Sequence, residues 1–355
     1  MIKQRIDNLY NRYLTFNSSR FLRKKINNYL KKNKSKSLSN ENELAIRTYY
    51  SKFGFKKLNV GWHQYYIDKN NLFSPKYIPE DIFYNLIEPQ LNKKSFGRAF
   101  TDKNYLNVFL PSVKQPKIIL KNINGSYYKN DRFISKNEAI EACSKIESFV
   151  IKPSIDSGGG KKVELIHTSE PEFNEINKID KLLSSYKKDF VIQEPIEPNK
   201  HLQLLNESSV NSIRVMSLLT EKETIILSSV IRIGSQGQFT DNTTIGGISV
   251  GIKSDGTLMD CGYDTNGKKY TSTGNQYKFS GFSIPSFNTI LEKTKELHKL
   301  LPHFNLVSWD FTLNKDEEIV LIEINLIFQE INFHQLHNGP LFGEHTEEIL
   351  SMIKK

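Results

Sequence analysis

The stretch "LVSWDFTLNKDEEIVLIEIN", residues 306–325, places two acidic side chains inside runs of residues that otherwise favour burial. Asp310 stands between Trp309 and Phe311, and Glu323 stands between two isoleucines. A carboxylate is almost never fully buried without a partner, because an isolated charge is strongly disfavoured away from water. The sequence therefore predicts that another group in the fold compensates these two acids.

The same stretch has the pattern of a β-hairpin, with the polar turn "NKDEE" between two apolar strands. Folding at this turn brings Asp310 close to Glu323, and the alternation of side chains puts Asn325 on the face of Glu323. Two close carboxylates repel each other unless a cation lies between them. Oxygen ligands of this kind favour Mg²⁺, which is usually shared with substrate phosphates. A surface hairpin with two unrelated acids is the alternative.

The composition is that of a globular protein without a membrane span. Of the 355 residues, 38% are hydrophobic and 25% are charged, and no apolar run reaches the length of a transmembrane helix. Cys143 and Cys261 form neither a metal knuckle nor a redox pair, which indicates a reducing compartment and no zinc. The N-terminus lacks the apolar core of a secretory signal. We therefore expect a cytoplasmic protein.

The net charge of +10 is concentrated at one end of the chain. Residues 1–40 contain eleven basic side chains and one acidic side chain, so the rest of the chain is balanced. Apolar residues recur there at helical spacing, with a break at "TFNSS", which predicts a pair of basic amphipathic helices. Such helices suit an anionic membrane surface, with Leu9 and Ile26 toward the lipid and the basic run 23–25 over the headgroups. The alternative is a helix packed on the body, and nucleic acid is an unfavoured partner because no binding module is recognisable.

A glycine-rich loop follows the motif "VIKP", in which a strand carries Lys152. The glycines of "SGGGKKV" would let backbone N–H groups approach a polyphosphate closely. This is not a Walker loop, because the lysine precedes the glycines and a strand follows them. Glycines that serve only the geometry of a turn are the alternative.

Helix signals flank this region. The capping box "SKNE", residues 135–138, predicts a helix that extends to about Ser148, and "SEPE", residues 169–172, predicts a second helix toward Tyr186. Residues 41–130 are aromatic-rich and irregular, and the pattern becomes α/β from residue 131 onward.

Seven motifs taken together resemble the ATP-grasp superfamily, and most closely the sugar-transfer-associated ATP-grasp family of polysaccharide gene clusters. They occur in the family's order between about residues 75 and 350, and they are "TDKNYL", "FVIKPSIDSGGGKKV", "FVIQEPIEP", "SSVNSIRVMSL", "VIRIGSQGQFTDNTTIGGISVGI", "SWDFTLNKDEEIVLIEIN" and "HNGPLFGEHTEEIL". The resemblance implies an α+β fold in which two α/β subdomains clamp ATP. It implies a basic helical extension (1–40), a pre-grasp region (41–130), a lid subdomain with the glycine-rich loop (131–195) and a C-terminal subdomain with the metal site (196–355).

The resemblance also implies a nucleotide site. The residues facing the ATP phosphates would be Lys103, Lys152, Ser157, Gly158, Gly159 and Gly160. The backbone of Gln193, Glu194 and Ile196 would contact adenine, and Glu197 would bind the ribose hydroxyls. A surface lysine is the alternative for Lys103.

Metal and catalytic residues follow from the same resemblance. Mg²⁺ would be held by Asp310, Glu323 and Asn325, and the ion would compensate the two buried acids of the opening stretch. Arg214, Arg232 and Asn242 would face the transferred phosphate and the acceptor. Structural salt bridges are the alternative for the two arginines.

The implied reaction is ATP- and Mg²⁺-dependent ligation of a carboxylate to an amine through an acyl phosphate, with Arg232 holding the oxyanion. The expected substrates are a sugar or glycan carboxylate and an amino acid or other amine, in capsule or surface polysaccharide synthesis. Phosphoryl transfer to a sugar or lipid-linked hydroxyl is one alternative. A non-catalytic membrane- or nucleic-acid-binding protein with a degenerate nucleotide site is another, and the intact Lys152, Asp310, Glu323 and Asn325 argue against it.

Overall fold

The strands of the computed structural model form a six-stranded and a seven-stranded antiparallel sheet within the residues that the structure describes, 2–155, 162–169, 176–241 and 246–354. For residues 2–12 and 176 the description covers the backbone alone. The six-stranded sheet has the order β3-β2-β1-β6-β4-β5 and contains β1 (Ile118–Ile123), β2 (Ser126–Lys129), β3 (Arg132–Ile134), β4 (Ser148–Pro153), β5 (Glu164–His167) and β6 (Phe190–Gln193).

The seven-stranded sheet has the order β11-β10-β9-β8-β7-β12-β13. Its strands are β7 (Ser212–Leu219), β8 (Thr224–Ile233), β9 (Ile248–Ile252), β10 (Leu258–Tyr263), β11 (Lys269–Tyr270), β12 (Leu306–Leu313) and β13 (Ile319–Asn325).

Helices surround both sheets. Those that precede the first strand are α1 (Ile2–Lys32), α2 (Asn40–Ser51), α3 (Gly61–Asn70), α4 (Glu80–Ile82), a π-helical segment (Phe83–Ile87), α5 (Glu88–Leu91), α6 (Lys94–Phe100) and α7 (Leu106–Phe109). The later ones are α8 (Lys136–Ser144), α9 (Ile176–Tyr186), α10 (Lys200–Gln203), α11 (Phe287–His298), α12 (Ile331–Asn338), a 3₁₀ turn (Gly343–His345) and α13 (Thr346–Met352).

Helices α8 and α9 pack with the six-stranded sheet around a core that includes Phe149 and Phe190. The predicted capping box of α8 is confirmed: Ser135 accepts from the backbone of Glu138, and Glu138 accepts from the backbone of Ser135. The helix ends at Ser144, before the expected position, because β4 begins at Ser148. The second predicted capping box, 169–172, lies mostly outside the described residues.

The six-stranded sheet begins earlier in the chain than the α/β pattern that the sequence shows from residue 131. β1 and β2 precede that residue, yet β1 pairs with β6 on one side and with β2 on the other. The region 41–130 thus contributes two strands to this sheet.

The seven-stranded sheet is buried on both faces near its centre. On β7, Ile213 and Val215 join a core that includes Trp309, whereas Met216 and Leu218 join a core beneath the N-terminal helices. The predicted hairpin is confirmed as β12 and β13, with Asp310 opposite Glu323. β12 pairs with β7 on its other side, β13 is the edge strand, and Asp310 is 1% exposed, so the surface alternative is excluded.

Helix α1 is continuous, so the predicted break at "TFNSS" is wrong. One polar residue there has a tertiary partner, since Asn85 donates to Ser19 Oγ at 3.0 Å. The expectation that Ile26 faces lipid is also wrong, because Ile26 is 2% exposed and packs in a cluster with Trp62. The described residues include no helix with the length and apolar character needed to span a membrane.

Candidate active site

A row of charged side chains crosses three adjacent strands of the seven-stranded sheet. Arg214 on β7 lies opposite Asp310 on β12, which lies opposite Glu323 on β13. Directly opposed residues of antiparallel strands share one face and lie close enough to interact. The strand register therefore brings these three groups together on the last three strands at one end of the sheet.

Asp310 is compensated by arginines. Arg214 Nε donates to Asp310 Oδ1 and Arg214 Nη2 donates to Oδ2, both at 2.6 Å, which is the bidentate geometry of a strong ion pair. Arg232 Nη1 lies 3.8 Å from Asp310 Oδ2. Burial raises the pKa of Asp310, and the two guanidinium groups oppose that rise. The arginines thus compensate Asp310, and the metal ion expected beside it stays a prediction.

Glu323 is compensated by Lys103, whose Nζ lies 3.0 Å from Glu323 Oε2. Burial acts to raise the pKa of Glu323, but Lys103 and the arginines lower it well below its usual range. The backbone N–H of Lys103 donates to the carbonyl of Ser154 at 3.0 Å, just beyond β4. Lys103 is therefore a cleft residue held between the two sheets, and the surface alternative is excluded.

Lys152 lies near the end of β4 and is almost fully buried, with 7% exposure. Burial and the nearby charge of Lys103 lower the pKa of Lys152 to about 8, while Glu323 acts in the opposite direction. Two close lysine side chains repel each other, and an anion between them would relieve the repulsion. This part of the cleft is consequently suited to a phosphate group.

Arg232 is held by residues that the sequence analysis did not single out. Its Nη2 donates to Asp241 Oδ1 at 3.0 Å and its Nε donates to Ser212 Oγ at 3.2 Å, and Ser212 in turn donates to Asp241. Ser212 lies opposite Arg232 in the strand register. Burial lowers the pKa of Arg232, but Asp241 and Asp310 raise it overall, so the guanidinium stays charged.

A cleft of about 790 Å³ lies between the two sheets and gathers most of the predicted residues. Its lining includes Lys103, Lys152, Gln193, Glu194, Ile196, Arg214, Arg232, Asp310, Glu323 and Asn325. Glu197 does not line it; its side chain is 70% exposed and pairs with Lys315 at 3.0 Å. The predicted residues Ser157, Gly158, Gly159, Gly160 and Asn242 lie outside the described residues.

The lining also contains residues that sequence reasoning missed, among them Arg98, Phe239, Asp241, Phe328 and Glu330. Two signals could have found some of them. Asp241 directly precedes Asn242 in a motif already singled out, and Phe328 closely follows Asn325. Arg98 comes from α6 and carries no comparable signal, because only the tertiary fold brings that helix to the cleft.

The oxygen donors of the cleft have the chemistry of a hard-cation site. Asp310 and Glu323 are adjacent carboxylates, and Asn325 donates through Nδ2 to Asp310 Oδ2 at 3.4 Å. Within the described part of the chain, no group of three or more His, Cys, Asp or Glu side chains could hold a metal ion. Both Asp310 oxygens already accept from Arg214, so Glu323 and Asn325 retain most of the capacity to bind. The set fits a Mg²⁺ ion that takes further ligands from substrate phosphates.

Two antiparallel sheets with a cleft of lysines, arginines and paired acids between them are what the ATP-grasp resemblance implied. A family model described as sugar-transfer associated ATP-grasp matches residues 85–350. The chain therefore belongs to the sugar-transfer associated ATP-grasp family.

Solved structures that match this chain include ligases of low sequence identity. The ligase PsnB, complexed with a minimal precursor, is 11% identical with a TM-score of 0.42, and the match covers 74% of this chain and 63% of PsnB. The L-amino acid ligase of Bacillus licheniformis is 12% identical, with a TM-score of 0.42 and coverage of 74% and 48%. VanG D-Ala:D-Ser ligase of Enterococcus faecalis is 14% identical, with a TM-score of 0.40 and coverage of 71% and 60%. This chain thus spans less than two thirds of the length of each. A search of curated proteins found no match.

Proposed function

We propose that this protein is an ATP- and Mg²⁺-dependent ligase that joins a sugar carboxylate to an amine through an acyl phosphate, in capsule or surface polysaccharide synthesis. The observation that carries the proposal is the convergence of phosphate-type cations (Lys103, Lys152) and metal-type donors (Glu323, Asn325) in one cleft between the sheets. Membership of a sugar-transfer associated family supports the choice of a sugar substrate.

The nucleotide has a natural place in this cleft. The edge of the cleft that we propose for adenine is formed by the end of β6. There Gln193 Nε2 donates to the Pro116 carbonyl at 3.4 Å, and the Glu194 N–H donates to the Lys117 carbonyl at 2.9 Å. Val150 and Ile322 line the same cleft and provide apolar surface for a flat base. With adenine at this edge, the phosphates extend toward Lys152.

The metal would be held by Glu323 and Asn325, with Asp310 beside them and fixed by Arg214. When bound, Mg²⁺ would neutralise charge on the phosphate oxygens during transfer. The protein contributes the orientation of these ligands, because Asp310 and Glu323 are set by strand register and Arg214 locks one carboxylate in place.

The chemistry needs positioned cations more than a side-chain nucleophile. A carboxylate oxygen of the acid attacks the γ-phosphorus of ATP and ADP leaves, which gives an acyl phosphate. The amine nitrogen attacks the acyl carbon, the amide bond forms, and the bond to phosphate breaks with loss of a proton from nitrogen. Arg232 holds the developing oxyanion, a role in which one donor contributes ~3 kcal/mol. Asp241 and Ser212 keep its guanidinium oriented.

Release of ADP tests the reaction. ATP, Mg²⁺ and the protein are incubated with a panel of uronic acids and a panel of amino acids, separately and together. We expect ADP release only when an acid and an amine are both present, with a product whose mass equals their sum minus water. Release that requires a sugar but no amine would indicate phosphoryl transfer and would overturn the ligase assignment.

We further propose that the exposed face of α1 binds the anionic inner leaflet of the membrane. The body-facing side is already occupied, since Arg23 pairs with Asp81 at 2.6 Å and Lys25 pairs with Glu80 at 3.3 Å. Elsewhere on the helix surface, Phe16 is 65% exposed and Phe21 is 69% exposed. Basic side chains lie among these rings, and they are Arg20, Lys24 and Lys31. Interleaved aromatic and basic side chains are typical of interfacial helices.

Vesicle sedimentation with the full-length chain tests this face. We expect binding to phosphatidylglycerol vesicles at low salt, weak binding to neutral vesicles, and a loss of about fivefold for Lys24→Gln, since each basic residue near the surface contributes ~1 kcal/mol. The double variant Phe16→Ser/Phe21→Ser should bind poorly, whereas Phe133→Ser, at an exposed position on β3, should bind normally. A double variant that changes only the oligomeric state would indicate a second copy of the chain as the partner and would overturn the proposal.

A further inference from the structure

Phe328 has an unusual conformation at the mouth of the cleft. Its backbone φ is 56°, in the left-handed region that bulky residues rarely adopt. Its side chain is 68% exposed although it lines the cleft that contains Asn325 and Arg214. A strained backbone that presents a large apolar side chain to solvent is unfavourable by itself and calls for a structural cause.

A buried carboxylate imposes this conformation. Glu88, on α5, is fully buried and accepts from the backbone N–H groups of Phe328 and Gln329, the latter at 3.3 Å. Lys94 pairs with Glu88 at 2.7 Å and supports it. The Gln329 side chain is fixed as well, because it accepts from Ser308 Oγ at 2.8 Å. Strained residues persist where their surroundings over-determine them, and they cluster at ligand sites.

The Phe328 ring offers one covered face and one open face. Lys94 Nζ lies 5.5 Å from the ring centroid, within the range of a cation–π contact, and the Tyr84 ring lies 6.2 Å away. The remaining ring surface is exposed at the cleft. Lys94 lies over one face of the ring, and Arg214 lines the same cleft. These positive charges would repel a cationic ligand on the open face, but they would not repel the C–H groups of a neutral ring.

The contacts of the Phe328 ring favour the acceptor side of the cleft over the adenine side. The contacts of Phe328 come from Tyr84, Glu88 and Lys94, which belong to the helices before the first sheet and not to the adenine hinge on β6. Two residues further along, Glu330 Oε2 accepts from Arg214 Nη1 at 3.4 Å. Phe328 and Arg214, the arginine that we propose faces the reacting groups, line the same cleft.

We propose that Phe328 is a stacking platform for the ring of the carboxylate substrate, so that the acid is recognised as a closed sugar ring and not as an open chain. This inference rests on the proposed function. An aromatic ring with few rotatable bonds provides contact area with little loss of conformational entropy. The buried Glu88 restricts the backbone of Phe328 and Gln329 by accepting hydrogen bonds from their N–H groups.

Binding measurements with two matched acids test the platform. The protein is saturated with a non-hydrolysable ATP analogue and Mg²⁺, and glucuronate, a ring acid, is compared with gluconate, an open-chain acid, by titration calorimetry. We expect the parent to prefer glucuronate, and Phe328→Ala to lose about tenfold in glucuronate affinity with gluconate and nucleotide affinities unchanged. Phe328→Trp should retain the preference. Phe133→Ala, at a similarly exposed position away from the cleft, should behave as the parent does.

Equal affinities of the parent for the two acids would overturn the platform, as would unchanged glucuronate binding by Phe328→Ala. Either result would leave nucleotide binding intact, so the proposed function would survive it. A parent that binds no ATP analogue would instead overturn the proposed function, and the platform with it. Thermal denaturation of each variant with and without the nucleotide analogue separates loss of the platform from loss of the fold.

Discussion

Glu323 is the residue on which the metal assignment depends. It contacts Lys103 in the structure, and its carboxylate is kept ionised by surrounding cations. We expect Glu323→Gln to reduce ADP formation by more than about a hundredfold, because the amide is a weaker ligand for Mg²⁺ and carries no charge. Cooperative unfolding should persist. Glu317→Gln, in the exposed turn of the same hairpin, serves as the control, and turnover of Glu323→Gln at the parent rate would remove this residue from the site.

Lys152 is expected to act on the nucleotide and not on the acceptor. A charge-assisted hydrogen bond contributes ~1.5–3 kcal/mol to the free energy of binding. Without it, Lys152→Ala should bind an ATP analogue about ten- to a hundredfold more weakly. Acid affinity should change much less. Calorimetry with the analogue measures both, and unaltered nucleotide affinity would show that the lysine does not face phosphate.

The lowered pKa of Lys152 predicts a dependence on pH. With a folded pKa of about 8, the lysine of the nucleotide-free protein loses its charge as the pH rises through 8. Nucleotide affinity should therefore fall above pH 8, and Lys152→Arg should remove this decline because arginine stays protonated. Between pH 8 and pH 10.5 the folded state binds fewer protons at this lysine than the unfolded state, so the free energy of unfolding rises with pH. The buried charge destabilises the fold fully below pH 8, and this effect disappears toward pH 10.5. An Arg variant with the parent's pH profile would contradict the assignment.

At the scale of the element, the β7–β12–β13 row couples stability to the site. Arg214→Met leaves the buried Asp310 without its bidentate partner, a change that typically destabilises by about 3–5 kcal/mol. Urea denaturation should show this loss, and the double variant Arg214→Met/Asp310→Asn should recover part of it because the buried carboxylate that lost its bidentate partner is no longer charged. Arg132→Met, on the exposed strand β3, should be close to neutral. If the double variant is no more stable than the single one, the pair is not the dominant contact.

Local elements could be predicted from the sequence, and non-local ones could not. The β12–β13 hairpin has its turn and both alternating strands within one stretch, so the opposition of Asp310 and Glu323 followed directly. The bond between Arg214 and Asp310 depends on the placement of β7 beside β12, which no local pattern specifies. Helix α1 shows the same limit, because its polar segment contacts Asn85, a residue distant in the sequence.

At the scale of the whole molecule, the sequence predicts where the net charge lies but not which basic side chains pair with the body. The sequence placed the net charge in residues 1–40, but the structure assigns Arg23 and Lys25 to partners on the body and leaves another face of α1 exposed. Ile26 and Leu30 belong to a core cluster. Deleting the extension would therefore damage the body, and point variants on the exposed face are the appropriate test of membrane binding.

Lys103 connects the two halves of the cleft, by its backbone to Ser154 beyond β4 and by its side chain to Glu323 on β13. A polyphosphate with its metal presents the same two charges in the opposite arrangement: an anion for the lysine and a cation for the glutamate. In the proposed complex, nucleotide binding would therefore replace the Lys103–Glu323 ion pair by contacts of each side chain with the nucleotide and its metal. The affinity for the nucleotide should respond weakly to added monovalent salt, in contrast to the exposed basic face of α1, where mobile ions are the competitors.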